Sequence, residues 1–292
     1  MRILLTGAGG QLGTEVLRVV RGFGHEVTAL ARSDLEVSDR ASVDACLHRY
    51  GPQLVINAAA YTAVDAAEQD AARADATNHA GPAALAASCD KVGAALFHIS
   101  TDYVFDGSQT RPYAVNDATC PLGVYGRSKW QGEVAVRERL AEHVIVRVSW
   151  LFGVAGKNFV RTILRLARER DELRVVADQH GCPTPARQLA LFLLELATRY
   201  ERVGALAWGT YHYCGQPATT WHDFATEIVA RARTREPLRA ARVTAITTAE
   251  FPTPARRPAN SVLDCSETFR VFGVAAPDWR VELDRVLDEL CS

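Results

Sequence analysis

Arg2-Ile3-Leu4-Leu5-Thr6-Gly7-Ala8-Gly9-Gly10-Gln11-Leu12-Gly13 decides the fold class of this chain. The first five residues form an apolar, partly β-branched run, the composition of a parallel strand covered on both faces. Glycines follow at Gly7, Gly10 and Gly13. Residues 14–22 then carry Val16, Leu17, Val19 and Val20 at helical spacing. Strand, glycine loop and helix are the context in which G-x-x-G-x-x-G acquires meaning. Gly7 permits the tight turn, Gly10 lets a pyrophosphate approach the backbone, and Gly13 lets the helix pack on the strand. The unpaired N–H groups and partial positive charge of the helix N-terminus favour phosphate there. The stretch predicts a dinucleotide site; a plain turn is the alternative.

Outward from it, residues 25–30 read as a second strand. An acid just past such a strand would bond the ribose 2′-hydroxyl of NAD, whereas a guanidinium pairs with the 2′-phosphate of NADP. Ala31 and Arg32 occupy that place, with Asp34 beyond. This predicts NADPH over NADH, with NADH possible; the alternatives are a solvated Arg32 and an Asp34 that folds back. A helix over 41–50 and a third strand, Leu54–Asn57, lead into Ala58, Ala59, Ala60, Tyr61 and Thr62. Small residues after a strand let a flat group come close, or else make a tight packing corner. An alanine-rich helix over 75–91 precedes a fourth strand over 94–99, which ends in Ser100-Thr101-Asp102. Ligands of open α/β sheets bind at the carboxyl ends of strands. Hydroxyls there either bond a reacting oxygen or merely cap the strand.

After a polar loop over 108–121 comes a helix over 124–140 that holds Tyr125 and Lys129. Positions four apart share a helix face. An ammonium near a phenol favours the phenolate, so the pair predicts a tyrosine with its pKa lowered toward neutrality, able to donate and accept a proton. A surface helix with one tyrosine and one lysine is the plainer alternative. His143–Val148 reads as a fifth strand. Alternating strands and helices predict an α/β fold, a Rossmann-like doubly wound parallel sheet.

Past about residue 150 the texture changes. Helices are expected over 158–170, 187–199, 221–233 and 282–290, and a strand over 210–214. Residues 178–185 form a loop with two prolines, and 251–258 is too proline-rich for regular structure. The division expected is an NAD(P)-binding domain over 1–150 and a smaller C-terminal substrate lobe over 151–292. With no linker between them, the lobe should interleave with the first domain. Arg256 and Arg257, held among prolines, suit bidentate contact with phosphate oxygens or a salt bridge across the lobes. His180 has no second ligand at metal spacing and reads as structural or substrate-lining.

The 292 residues are 48% hydrophobic and 23% charged, with a net charge of -1. That balance gives no sign of nucleic-acid or anionic-membrane binding. No leader or membrane-length apolar run is read at the N-terminus or elsewhere. Seven scattered cysteines without C-x-x-C spacing fit reduced thiols, hence a cytoplasmic setting, better than a disulfide framework or zinc site.

Taken together, these motifs resemble the extended short-chain dehydrogenase/reductase superfamily and, within it, the dTDP-4-dehydrorhamnose reductase family. The resemblance covers nearly the whole chain. Its carriers are GAGGQLG at 7–13, NAAAYTAVDAAE at 57–68, STDYVFDG at 100–107, PLGVYGRSK at 121–129, RVSWLFG at 147–153, DQHGCPTPA at 178–186 and PTPARRPANS at 252–261. The first and fourth belong to the whole superfamily; STDYVFDG and PTPARRPANS are more specific. The resemblance implies Tyr125 as proton donor, Lys129 as its partner, and Thr101 steadying the substrate carbonyl with Asp102 beside it. It implies Gly10, Gln11 and Leu12 at the pyrophosphate, Asp34 and Leu35 at the adenine, and Ala60, Tyr61 and Thr62 at the middle of the cofactor. Trp150 would line the sugar site, and Arg256 and Asn260 would lie near the nucleotide-sugar. The reaction implied is NAD(P)H-dependent reduction at C4 of dTDP-4-dehydro-L-rhamnose to dTDP-L-rhamnose. Some relatives dimerise through magnesium held by glutamates. Here Glu15 is retained, but Arg187 stands where one of those glutamates would be expected. A cation there repels a divalent metal, so no metal is expected, and monomer or homodimer stays open. The alternatives are a nucleotide-sugar epimerase or dehydratase of the same superfamily, disfavoured because Tyr103 does not complete an acid/base pair with Asp102, and a non-catalytic regulatory subunit, disfavoured by the intact motifs.

Overall fold

The computed structural model describes residues 1–291 and places strand β1, Arg2–Thr6, inside a six-stranded parallel sheet. The other strands are β2 (Glu26–Leu30), β3 (Leu54–Asn57), β4 (Ala95–Thr101), β5 (His143–Val148) and an edge strand, Gly209–His212. Their spatial order is edge strand, β5, β4, β3, β1, β2. The chain steps from β1 to β2 on one side and then returns to build β3 on the other. The strand order therefore reverses between β1 and β3, where a doubly wound sheet opens a crevice at its carboxyl ends. All of β3 and β5 is buried, as strands covered on both faces are; the polar Asn57, His143 and Arg147 among their apolar residues are buried with hydrogen-bond partners. The fold class read from the sequence is the one observed.

Two helical layers cover the sheet. One core joins Ile3, Leu5, Ile56, Phe97 and Val146 to helix Ala186–Val203; on the other face Leu4, Val55, Leu96 and Ile145 pack against Val43, Leu85 and Val136. A separate core holds Phe152, Val160, Ile163, Phe224, Trp279 and Leu283. It is flanked by a parallel strand pair, Glu172–Val176 with Arg242–Ile246. Helix Ala186–Val203 and the edge strand lie beyond residue 150 yet build the main sheet and its core. Among the described residues no helix is long and apolar enough to cross a membrane.

The expected helix over 75–91 differs in detail. It is α-helical over Ala71–Asp75, widens to a π-helix over Ala76–Ala80, and continues as Gly81–Val92. The wide turn presents the buried Asn78 side chain sideways, and Asn78 is used at the site described next.

Candidate active site

The glycine loop takes the form its spacing demands. Gly7 has φ +69, and a Cβ there would stand 2.6 Å from the Ala58 carbonyl carbon; a Cβ at Gly13 would stand 2.4 Å from the Gly7 oxygen. Both positions exclude a side chain because backbone already fills the space. At Gly10 the nearest atom to such a Cβ is 3.2 Å away. Gly10 begins helix α1, Gln11–Val19, with no side-chain cap on its N-terminal N–H groups. Those donors face a cleft of about 470 Å³ whose walls include Gly10, Gln11, Leu12, Ala58, Ala60 and Thr62.

The same cleft reaches Thr101, Asp102, Tyr125, Lys129 and Trp150. Thr101 and Asp102 stand at the end of β4, and Tyr125 and Lys129 on the first turns of helix Val124–Arg139. That helix lies close against the chain: a Cβ at Gly126 would stand 2.2 Å from the Tyr103 oxygen. Asn78 ties the parts together. Its Oδ1 accepts from the Tyr61 N–H at 2.8 Å, and its amide donates to the Tyr61 carbonyl at 3.0 Å and to Ser128 Oγ at 3.1 Å.

Electrostatics at the site depart from the expectation in one respect. Lys129 donates to the Ile99 carbonyl at 2.6 Å. Burial lowers its pKa to about 8, opposed by the Glu133 carboxylate one turn on. Burial pushes Tyr125 up to about 12; the Thr101 hydroxyl, by hydrogen bonding, pulls it down, and the Asp102 charge adds to the rise. The phenol is thus held protonated at neutral pH, and Thr101, not Lys129, favours its ionised form. Desolvation outweighs the Thr101 hydrogen bond. Asp102 is buried and raised to about 7, with the Ser261 and Thr101 hydroxyls opposing the shift. Its Oδ1 accepts from Thr101 at 3.0 Å. Tyr103 packs edge-on against Tyr125, ring centres 5.7 Å apart, and burial raises its phenol as well.

Behind Lys129 lies a buried charge network that the sequence reading did not identify. Glu133 accepts from Ser100 at 2.5 Å, from Arg147 at 2.9 and 2.8 Å, and from Arg137 at 3.0 Å. The i,i+4 step from Lys129 to Glu133 on one helix was the available signal.

The remaining expected residues fall in several places. Arg32 pairs with Glu36 at 3.0 Å on the surface, and Asp34 folds back to accept from the Ala31 N–H at 2.8 Å. Leu35 is buried in the core. None of the three lines the cleft, and the Glu36 carboxylate weakens Arg32 as grounds for preferring NADPH. Ala59 donates to Asn57 Oδ1. Arg257 is the cross-lobe salt bridge, holding Asp65 at 3.0 and 2.8 Å, while Arg256 is exposed and borders the small cavity beside Tyr103 and Tyr125. Asn260 is not among the residues that line the cleft; its amide donates to the Gln109 and Arg111 carbonyls at 2.8 and 3.1 Å, bracing that loop. His180 is exposed, with its backbone bonded to Ala259 and Ser261. Glu15 is buried with Arg18, Arg187 and Arg285 around it, and among the described residues no group of three or more His, Cys, Asp or Glu could hold a metal ion.

The chain is 44% identical to a dTDP-4-dehydrorhamnose reductase of Burkholderia thailandensis, over all of both chains. Among solved structures it is similar to a dTDP-4-dehydrorhamnose reductase of Clostridium acetobutylicum, at 37% identity over all of both chains with a TM-score of 0.93. It is also similar to the Bacillus anthracis reductase solved in complex with NADP, at 34% identity over 99% of each chain with a TM-score of 0.91. The model of the family described as "RmlD substrate binding domain" matches residues 1–292, and it is to this family that the chain belongs.

Proposed function

We propose that this protein is an NAD(P)H-dependent dTDP-4-dehydrorhamnose reductase that converts dTDP-4-dehydro-L-rhamnose to dTDP-L-rhamnose. The observation that carries the reading is one cleft shared by an uncapped glycine-loop helix and a phenol held protonated beside a hydroxyl donor. The full-length relatives of that name support it. The donor set fits a dinucleotide: free N–H groups for its phosphates, small alanines along its middle, and a glycine where a Cβ would otherwise intrude. The Bacillus anthracis complex favours NADP as that dinucleotide. When bound, the reduced nicotinamide supplies the hydride that goes to C4 of the sugar.

The residues then divide the work. Tyr125 gives its proton to the alkoxide forming at C4, a task that suits a phenol still protonated at neutral pH. Such positioned proton transfer contributes roughly 10²- to 10⁴-fold. Thr101 donates a hydrogen bond to the same oxygen, adding on the order of 10²-fold. Lys129 keeps a cation at the cleft wall, next to where the nicotinamide ribose would lie. In the free protein Asp102 accepts the single Thr101 hydroxyl proton, which turns to the substrate oxygen on binding. Trp150 faces the hexose, and Arg256, free of the salt bridge that occupies Arg257, meets the sugar diphosphate. Residues 1–150 carry most of the cofactor site, and the Phe152–Trp279 core carries the substrate lobe. Seven free cysteines suit a reducing, cytoplasmic setting.

The test is to mix the protein with the keto sugar and either NADPH or NADH, follow the nicotinamide absorbance and identify the sugar product. Oxidation of the cofactor with dTDP-L-rhamnose formed is expected. Bound cofactor left unoxidised would contradict the reading and favour a non-catalytic role.

A further inference from the structure

Two indoles form part of the wall of the cleft that Tyr125 also lines. Trp150 and Trp221 stack with ring centres 3.5 Å apart and planes 11° from parallel, and both line the cleft. Trp150 is held in an uncommon way. Its φ is +47, the one positive value at a non-glycine residue among those described, and a bulky side chain in that region is costly without support. The support is visible on each side. The Trp150 carbonyl accepts from the Thr184 N–H at 3.1 Å, and Ser149 Oγ donates to the Cys182 carbonyl at 2.6 Å. Beneath the ring lies Gly181, where a Cβ would stand 2.4 Å from the indole. Above it lies Trp221.

Trp221 is itself fixed. It opens helix Trp221–Ala232, whose N-cap Thr220 accepts from the Asp223 N–H at 3.0 Å and pairs with His180 in a short antiparallel ladder. Phe159 packs on its ring with centres 4.5 Å apart. The substrate-lobe core thus presents Trp221 as a rigid surface, and Trp150 rests between it and Gly181.

We propose that Trp221 is a positioning residue for the sugar-nucleotide subsite, which by stacking fixes the Trp150 indole in its left-handed turn as the platform for the apolar face of the hexose. The proposal rests on the reductase reading for the identity of the sugar. It assigns Trp221 to substrate placement rather than to cofactor binding.

Three variants test it: Trp221→Ala, Trp221→Phe and Gly181→Ala. Two stacked indoles produce an exciton couplet in circular dichroism. Among the described residues Trp150–Trp221 is the stacked indole pair. The couplet should be present in the unaltered protein and absent from both Trp221 variants. Trp221→Ala should raise KM for the keto sugar roughly 3- to 10-fold, the range expected for losing an aromatic stack, with NADPH affinity unchanged and kcat much less affected. Trp221→Phe should restore most of the KM without restoring the couplet. Gly181→Ala, which displaces Trp150 with Trp221 intact, should weaken the couplet and raise KM in the same direction. An unchanged KM in Trp221→Ala, a couplet that survives it, or an equal loss of NADPH affinity would overturn the proposal. If the unaltered protein fails to reduce the keto sugar, the reductase reading falls separately. The stack would then be judged by whether dTDP-L-rhamnose shifts the couplet: a shift keeps the platform, and no shift removes it.

Discussion

At the residue scale the chemistry turns on a buried phenol and its neighbours. Replacing Tyr125 by Phe removes one oxygen and keeps the ring packed on Tyr103. The variant should bind NADPH normally, by fluorescence titration, and lose at least about 10²-fold in kcat. Retained turnover would mean that another group delivers the proton. Asp102 gives a pH signature. Its carboxyl titrates at about 7 when folded and near 4 when unfolded. The native state therefore holds the extra proton between those values, and stability falls as pH rises through that window. The effect is on the order of a few kcal/mol. Unfolding midpoints measured from pH 4 to about 7 should slope less steeply downward in Asp102→Asn than in the unaltered protein. The tyrosine–lysine pair was legible from spacing alone. Its electrostatics were not, because burial depends on residues far away in sequence, and desolvation reversed the sign expected from the lysine.

At the scale of elements, the glycine loop and helix α1 separate two roles that spacing alone assigns together. A methyl at Gly13 would meet the Gly7 and Ala8 backbone at 2.4 to 2.7 Å, whereas one at Gly10 meets only the Gly7 oxygen at 3.2 Å. Gly13→Ala should therefore destabilise the fold by about 1–3 kcal/mol in denaturant unfolding. Gly10→Ala should change stability less and instead raise the NADPH dissociation constant, since its methyl intrudes where phosphate approaches. Equal stability losses in the two variants would contradict this division. Strand–loop–helix order was readable because period and glycine spacing are local. The π-turn at Ala76–Ala80 was not: the side chain it serves, Asn78, finds its partners Tyr61 and Ser128 only in three dimensions.

At the scale of the whole molecule, the chain leaves the main sheet after β5, builds part of a second core, and returns through Ala186–Val203 and Gly209–His212. The change of texture near residue 150 marked the departure, but a short buried strand carries no label saying which sheet it joins. Across the gap, Arg257 grips Asp65 from the proline-rich loop. Asp65→Asn removes the charge from a half-exposed pair, so about 1 kcal/mol of stability should be lost. A larger rise should appear in KM for the sugar nucleotide, as the loop that carries Arg256 loosens. An unchanged KM would assign the pair to folding alone. The central claim is net reduction at one carbon of a nucleotide sugar, and isotope transfer tests it most directly. With NADPH deuterated at the transferring C4 position, deuterium should appear at C4 of the product hexose, one atom per cofactor oxidised. Sugar isomerised without net cofactor oxidation, or deuterium found at any other carbon, would contradict it.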